Sequence, residues 1–313
     1  MKPNPKNVHV DILIIYGLSV CIVILVFITH LINYYTLQHK NILYPEVVVD
    51  NHVLFDKNAF THVKIIGKAY IVYDVTTREV IASKNEEALL PLASVTKVMT
   101  AVSSTLHKKK DEKITITQKS IEDGYDLGLK NKQVWDLSEL LKYTLVFSSN
   151  DGAEAVADSF GGKDIFVTQM NNDAKSLGLN LTFTDPAGRD IGGKIGGKGT
   201  VLEVAKLFSV ARKNIPEILD ATTKKRETVS SSFGRISGVP NTNQDIETLS
   251  GAEASKTGYT DMAGGNLGVI VDISVGHPVV IVVLGSTKTG RFEDMDILYK
   301  ALRSSLFKST VSK

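Results

Sequence analysis

The chain has 313 residues, 43% of them hydrophobic, and its 36 basic and 34 acidic residues leave a net charge of +2. That length holds one large domain or two medium ones, and the near balance of charge leaves no electrostatic footprint for nucleic acid. The single cysteine, Cys21, excludes an internal disulfide; none of the seven histidines falls at His-x3-His or HExxH spacing, so no metal site is expected.

The run from Ile12 to Ile32, ILIIYGLSVCIVILVFITHLI, carries no Asp, Glu, Lys or Arg. At about 1.5 Å per residue it spans about 30 Å as a helix, the thickness of a bilayer's hydrocarbon. A cleavable signal peptide has a shorter apolar core, of about 7–15 residues, and a small-x-small cleavage site. A transmembrane helix over 12–32 is therefore expected, with Tyr34 and Tyr35 at the interface. Lys2 and Lys6 precede the run and the first positive charge after it is Lys40. The positive-inside rule then leaves residues 1–11 in the cytoplasm and the rest outside, in a cell membrane. Residues 33–66 show no sustained period and read as a juxtamembrane spacer.

A folded domain is expected over 67–308, with a short tail over 309–313. KAYIVYDV and VIASKN, separated by TTRE, read as a β-hairpin. An apolar helix follows from about Ser94, and EKITIT is a short strand. LSELLKYTLVFS, DGAEAVADSFGG, KDIFVTQMNNDAKSLGL and TVLEVAKLFSVARKN have helical periodicity or helix-ending glycines. GGNLGVIVDISV and PVVIVVLGST then read as two long strands across a tight turn, and RFEDMDILYKALRSSLF as a closing helix. Strands at both ends and helices between them predict an α+β fold, an antiparallel sheet from both chain ends packed on a mainly helical cluster.

Three short motifs sit at element ends. In Ser94-Val95-Thr96-Lys97, residues three apart share a helix face, so the hydroxyl of Ser94 and the amine of Lys97 meet within one turn. A serine needs a base to become a nucleophile, and a lysine desolvated in apolar surroundings and crowded by other cations serves as one. In isolation the same motif reads as a capping serine with an exposed lysine. Ser148-Ser149-Asn150 lies between two helices, where it either caps one or presents a hydroxyl and an amide to a cleft. Lys256-Thr257-Gly258 precedes the long strands, where a strand edge binds an extended substrate and Gly258 permits close approach; a surface turn is the plain reading. The triplet recurs at Lys288-Thr289-Gly290, there as a connecting loop.

Together and in this order, the three motifs are the set of penicillin-binding proteins and class A β-lactamases. From about Lys68 to about Leu306 the chain resembles the D-alanyl-D-alanine carboxypeptidases of the low-molecular-mass penicillin-binding type, of serine peptidase family S11, which have a β-lactamase/transpeptidase-like fold. The resemblance rests also on AYIVYDVTTREVIASKNEEALLPLASVTKVMTA, DLSELLKYTLVFSSNDGAEAVADSFGG, FTDPAGRD, the Asn241–Asn243 triplet NTN and KTGYTDMAGGNL. It implies that Ser94 attacks the carbonyl between two D-alanines while Lys97 takes its proton. Ser148 and Lys256 then relay a proton to the leaving amine, and Asn150 binds a substrate amide. The backbone N–H groups of Ser94 and Tyr259 form an oxyanion hole, and Thr257 and Arg291 hold the terminal carboxylate. The implied substrate is a peptidoglycan stem peptide ending in D-Ala-D-Ala, with β-lactams as covalent inhibitors and no cofactor. Ser149 departs from the glycine usual in the family. Many relatives add a C-terminal β-rich domain and an amphipathic anchor, but about 28 residues follow Gly285, so anchoring is expected to fall to the N-terminal helix.

Three other functions are weighed. A class A β-lactamase needs an E-x-x-x-N loop between the second and third motifs; Glu154, Glu203, Glu217, Glu227, Glu247 and Glu253 all lack an asparagine four residues on. A non-catalytic muropeptide or penicillin sensor needs none of the proton-transfer groups that are present. Endopeptidase action on crosslinks uses the same site, and the sequence does not separate it from carboxypeptidase action.

Overall fold

The computed structural model describes residues 20, 22–34, 53–121 and 128–306. Residues 20 and 22–34 are helical. Residues 12–19 and 21 of the 12–32 segment, with residues 1–11 and the 309–313 tail, lie outside the described residues. Among those described, no helix is long and apolar enough to cross a membrane. The second compact unit starts at Val53.

That unit is built on β1 (Ala69–Asp74), β2 (Val80–Lys84), β3 (Ala252–Thr260), β4 (Gly264–Asp272) and β5 (Pro278–Ser286). They form one antiparallel sheet in the order β3-β4-β5-β1-β2, so the two chain ends meet where Ala69 pairs with Leu284 and Asp74 with Val279. The helices are α1 (Lys97–His107), α2 (Leu137–Val146), α3 (Asn150–Ser159), α4 (Lys163–Ser176), α5 (Val201–Asn214), α6 (Pro216–Asp220) and α7 (Gly290–Ser305).

The long strands read as continuous apolar runs because helices cover both faces of the sheet. Ile71, Ile270, Val280, Val282 and Leu284 face the larger core, shared with α1 to α6. Val72, Val269, Val271, Val279, Ile281 and Val283 face a second core under α7. Period-2 alternation is thus preserved, with both phases apolar. Gly268 is a gap in this wall. A Cβ there would lie 2.5 Å from the Phe208 ring, so the missing side chain lets α5 seat on β4.

Residues 53–66, read from sequence as the end of a spacer, pack on the second face. Asp56 donates its N–H to the carbonyl of Ser305 at 2.8 Å, and Phe55 bridges Leu306. The buried carboxylate of Asp294 on α7 accepts from the N–H groups of Ile66 and Gly67 and from Ser286 Oγ, at 2.8, 2.9 and 2.5 Å. One charge therefore ties three segments, which is how a buried carboxylate is tolerated.

Three elements differ from the sequence reading. Lys256-Thr257-Gly258 lies inside β3, the sheet's edge strand, rather than just before a strand. A polar hairpin, 226–231 with 234–240, is added against α2. Short strands at 90–91, 182–183 and 197–199 form a small sheet that carries the segment leading into Ser94.

Candidate active site

Ser94 lies in a 3-10 turn, Ala93–Thr96, that runs straight into α1. The segment ahead of it is pinned twice. Leu92 donates its N–H to the carbonyl of Gly197 at 2.8 Å, and the buried amide of Asn266 on β4 donates to the carbonyl of Pro91 at 2.9 Å. Ala93 has φ +48°, a left-handed conformation that costs a non-glycine residue roughly 1–2 kcal/mol. Tertiary anchors hold that strain beside the hydroxyl, as is common where a side chain must be aimed.

The lysine in the middle of the apolar helix is fully buried, and its polar end faces inward. Lys97 Nζ lies 2.7 Å from Ser94 Oγ, 2.8 Å from Asn150 Oδ1 and 2.9 Å from the carbonyl of Ala187. The first and second motifs thus meet at one amine. The division of labour within Ser148-Ser149-Asn150 is also clear. Ser149 is the helix cap: its Oγ accepts from the N–H of Gly152 at 2.7 Å. Ser148, at φ +66°, is turned away from α3 and accepts from Lys256 Nζ at 2.8 Å. A capping hydroxyl explains why serine serves at 149 where glycine is usual.

Lys256 is 2% exposed and donates also to the carbonyl of Thr257 at 2.8 Å. Burial, followed by the charges of Lys97 and Arg291, holds its amine well below the ordinary lysine range. Arg291, at the start of α7, donates to the carbonyl of Gly258 at 2.7 Å, and burial lowers its guanidinium as well. Neither Lys256 nor Arg291 makes an ion pair with a carboxylate among the described residues. Basic groups without a carboxylate partner, Arg291 foremost, thus lie beside Gly258, an arrangement suited to an anionic ligand.

Gly258 has a use beyond the one its sequence context suggests. A Cβ at 258 would sit 2.9 Å from the carbonyl oxygen of Leu92 and 3.1 Å from the nitrogen of Ser94. Its bareness lets β3 approach the Ser94 turn. Tyr259, 41% exposed, follows on the open side. Ser94, Asn150 and Tyr259 line a cleft of about 980 Å³ together with 188–193 and 260–262.

Two functional groups escaped assignment in the sequence. Thr257 Oγ1 bonds Thr242 Oγ1 at 2.6 Å, so the middle residue of the NTN triplet reaches the third motif. Asn241 secures that loop by donating to the carbonyls of Thr222 and Lys224 at 2.8 and 3.0 Å. The carbonyl of Ala187, inside FTDPAGRD, is the other. Both stretches stood out as patterns, but a pattern does not say which atom is used. The repeated triplet at Lys288-Thr289-Gly290 leads into α7, as a connection should. Among the described residues no group of His, Cys, Asp and Glu is arranged to hold a metal.

This geometry joins a hydroxyl and an amide that line the cleft to one buried amine, and sets a second hydroxyl–amine pair, Lys256 with Ser148, the hydroxyl two residues from Asn150. It is the equipment for acyl transfer through a serine ester. Comparison with known proteins agrees. The chain is 28% identical over 205 residues to D-alanyl-D-alanine carboxypeptidase DacB2 of Mycobacterium tuberculosis, covering 63% of this chain and 67% of that protein. It is 30% identical over 226 residues to the D-alanyl-D-alanine endopeptidase of Escherichia coli, covering 70% of each. Penicillin-binding protein D2 of Listeria monocytogenes, solved in its ampicillin-bound form, superposes with a TM-score of 0.65 at 29% identity, over 76% of this chain and 98% of that one. The D-alanyl-D-alanine carboxypeptidase family profile, peptidase S11, matches residues 56–288, and the chain belongs to that family of serine peptidases.

Proposed function

We propose that this protein is a membrane-anchored D-Ala-D-Ala carboxypeptidase that trims peptidoglycan stem peptides through an acyl-enzyme on Ser94. The observation that carries the reading is the pair of contacts Lys97 Nζ–Ser94 Oγ and Lys256 Nζ–Ser148 Oγ, at 2.7 and 2.8 Å, linked through Asn150, which bonds Lys97 and lines the same cleft as Ser94. In this reading Ser94 Oγ bonds to the carbonyl carbon of the penultimate D-alanine while its proton passes to Lys97. The N–H groups of Ser94 and Tyr259 stabilise the oxyanion, one such donor being typically worth about 3 kcal/mol. The C–N bond then breaks, and the leaving amine takes a proton through Ser148 from Lys256. Water hydrolyses the ester and frees the shortened peptide.

Asn150 needs a refinement. Its Oδ1 accepts from Lys97, which leaves Nδ2 to donate to a carbonyl oxygen of the substrate. Thr257 and Arg291 hold the terminal carboxylate, in keeping with the uncompensated positive charge there. β-Lactams, which mimic the acyl-D-Ala-D-Ala end, acylate the same serine; the ampicillin-bound relative supports this. Residues 12–32 anchor the chain in the cell membrane with the peptidase domain outside. Endopeptidase action on crosslinks is the second reading, favoured by the relatives named endopeptidase.

The test is incubation of the full-length chain with a stem pentapeptide and with a crosslinked dimer, measuring free D-alanine and monomer release. D-alanine released from the pentapeptide, and lost in Ser94→Ala, is the expected result. Cleavage of the dimer alone would favour the endopeptidase, and turnover by Ser94→Ala would refute both.

A further inference from the structure

If Lys97 acts as a base, its neutral amine carries two N–H bonds and one lone pair. Two groups close to it, Asn150 Oδ1 and the carbonyl of Ala187, can only accept. With its two hydrogens given to these acceptors, the amine turns its lone pair to Ser94 Oγ, 2.7 Å away. Without the Ala187 carbonyl the amine is free to turn an N–H toward Ser94, where it takes no proton.

The Ala187 carbonyl is fixed by one carboxylate. Asp185 is 1% exposed, and its Oδ1 accepts from the N–H groups of Ala187 and Arg189 at 2.9 and 3.0 Å. Its Oδ2 accepts from Lys163 Nζ at 2.7 Å and Arg189 Nη2 at 2.9 Å. Arg189 is held in turn by Glu154 on α3. Burial pulls the Asp185 carboxyl upward, but the bonds from Arg189 and Lys163 outweigh it and keep the group ionised. The carbonyl of the intervening Pro186 accepts from Thr100 Oγ1 on α1 at 2.6 Å, which locks the loop to the helix that carries Lys97. Gly188, at φ +77°, completes the fit, since a Cβ there would lie 2.0 Å from the carbonyl of Ala93.

We propose that Asp185 is a positioning residue for the acylation step: it presents the Ala187 carbonyl that turns Lys97 toward Ser94. This rests on the role given to Lys97 above. A purely structural carboxylate would affect melting without affecting the rate of serine attack.

The experiment measures acylation of the full-length chain by a fluorescent penicillin, resolving the rate constant k2 from the pre-covalent dissociation constant. Asp185→Ala should slow k2 by about thirtyfold while leaving binding within about threefold. Asp185→Asn, which keeps an acceptor oxygen for the two N–H groups but loses the charge pairing, should be only about fivefold slow. Asp173→Asn serves as the control. Asp173 braces the far end of α1 through Ser103 and His107, so its loss should lower melting and leave k2 alone. Wild-type k2 in Asp185→Ala would overturn the proposal, as would a loss in Asp173→Asn equal to it. If Asp185→Ala does not fold, wild-type k2 in Asp185→Asn overturns it as well. A wild-type chain that is not acylated on Ser94 at all would instead bring down the proposed function.

Discussion

Two buried lysines serve the site, and Lys256 carries a clear pH signature. Its amine is depressed below the ordinary value of 10.5 by burial first, then by Lys97 and Arg291. Below its folded pKa the amine is charged in both states, and the full cost of burying that charge falls on the native protein. As pH rises from that pKa toward 10.5 the unfolded chain holds the extra proton, so native stability increases. Lys256→Met removes the group at similar volume. Its melting temperature should exceed wild type at pH 7, with the gap closing as pH approaches 10, while acylation is lost; a gap that widens with pH contradicts the assignment. Ser94 and Lys97 were legible in the sequence because a spacing of three fixes their meeting on any helix. Thr242 was not, because its partner Thr257 is reached only when a loop and an edge strand fold together.

Between elements, the decisive approach is that of β3 to the Ser94 turn. Gly258→Ala inserts a Cβ 2.9 Å from one backbone oxygen and 3.1 Å from one backbone nitrogen. Backbone cannot rotate away, so the strand must move by a few tenths of an ångström or more. Displacements of that kind cost up to about a hundredfold in rate, with overpacking worth about 1–3 kcal/mol of stability. Stopped-flow acylation and thermal melting should show the rate falling much more than the melting point; the reverse would place the role of Gly258 in folding alone. β4 and β5 were easy to read, since both phases of their alternation are apolar. β3 was hidden because Lys256 and Thr257 are polar residues buried by their partners rather than by their own hydrophobicity. The 226–240 hairpin was hidden because it is polar and only partly covered, so no period survives in it.

At the scale of the whole molecule, the peptidase unit closes on itself through Asp294 and the Phe55–Leu306 bridge. The α+β class and the meeting of the chain ends were legible from element order; the packing of 53–60 on α7 was not, because that stretch is short and its apolar residues, Val53, Leu54, Phe55, Ala59 and Phe60, follow no helical or strand period. The apolar 12–32 run leads us to expect that the full-length chain sediments with membranes and resists high-salt and alkaline extraction; recovery in the soluble fraction would contradict the proposed anchor. The central claim is that Ser94 is the residue that becomes acylated. It is tested most directly by incubating the full-length protein with a fluorescent penicillin, digesting it and locating the label by tandem mass spectrometry. The account predicts a single labelled peptide carrying the adduct on Ser94, absent from Ser94→Ala. A label on another residue, or one that persists in Ser94→Ala, would contradict it.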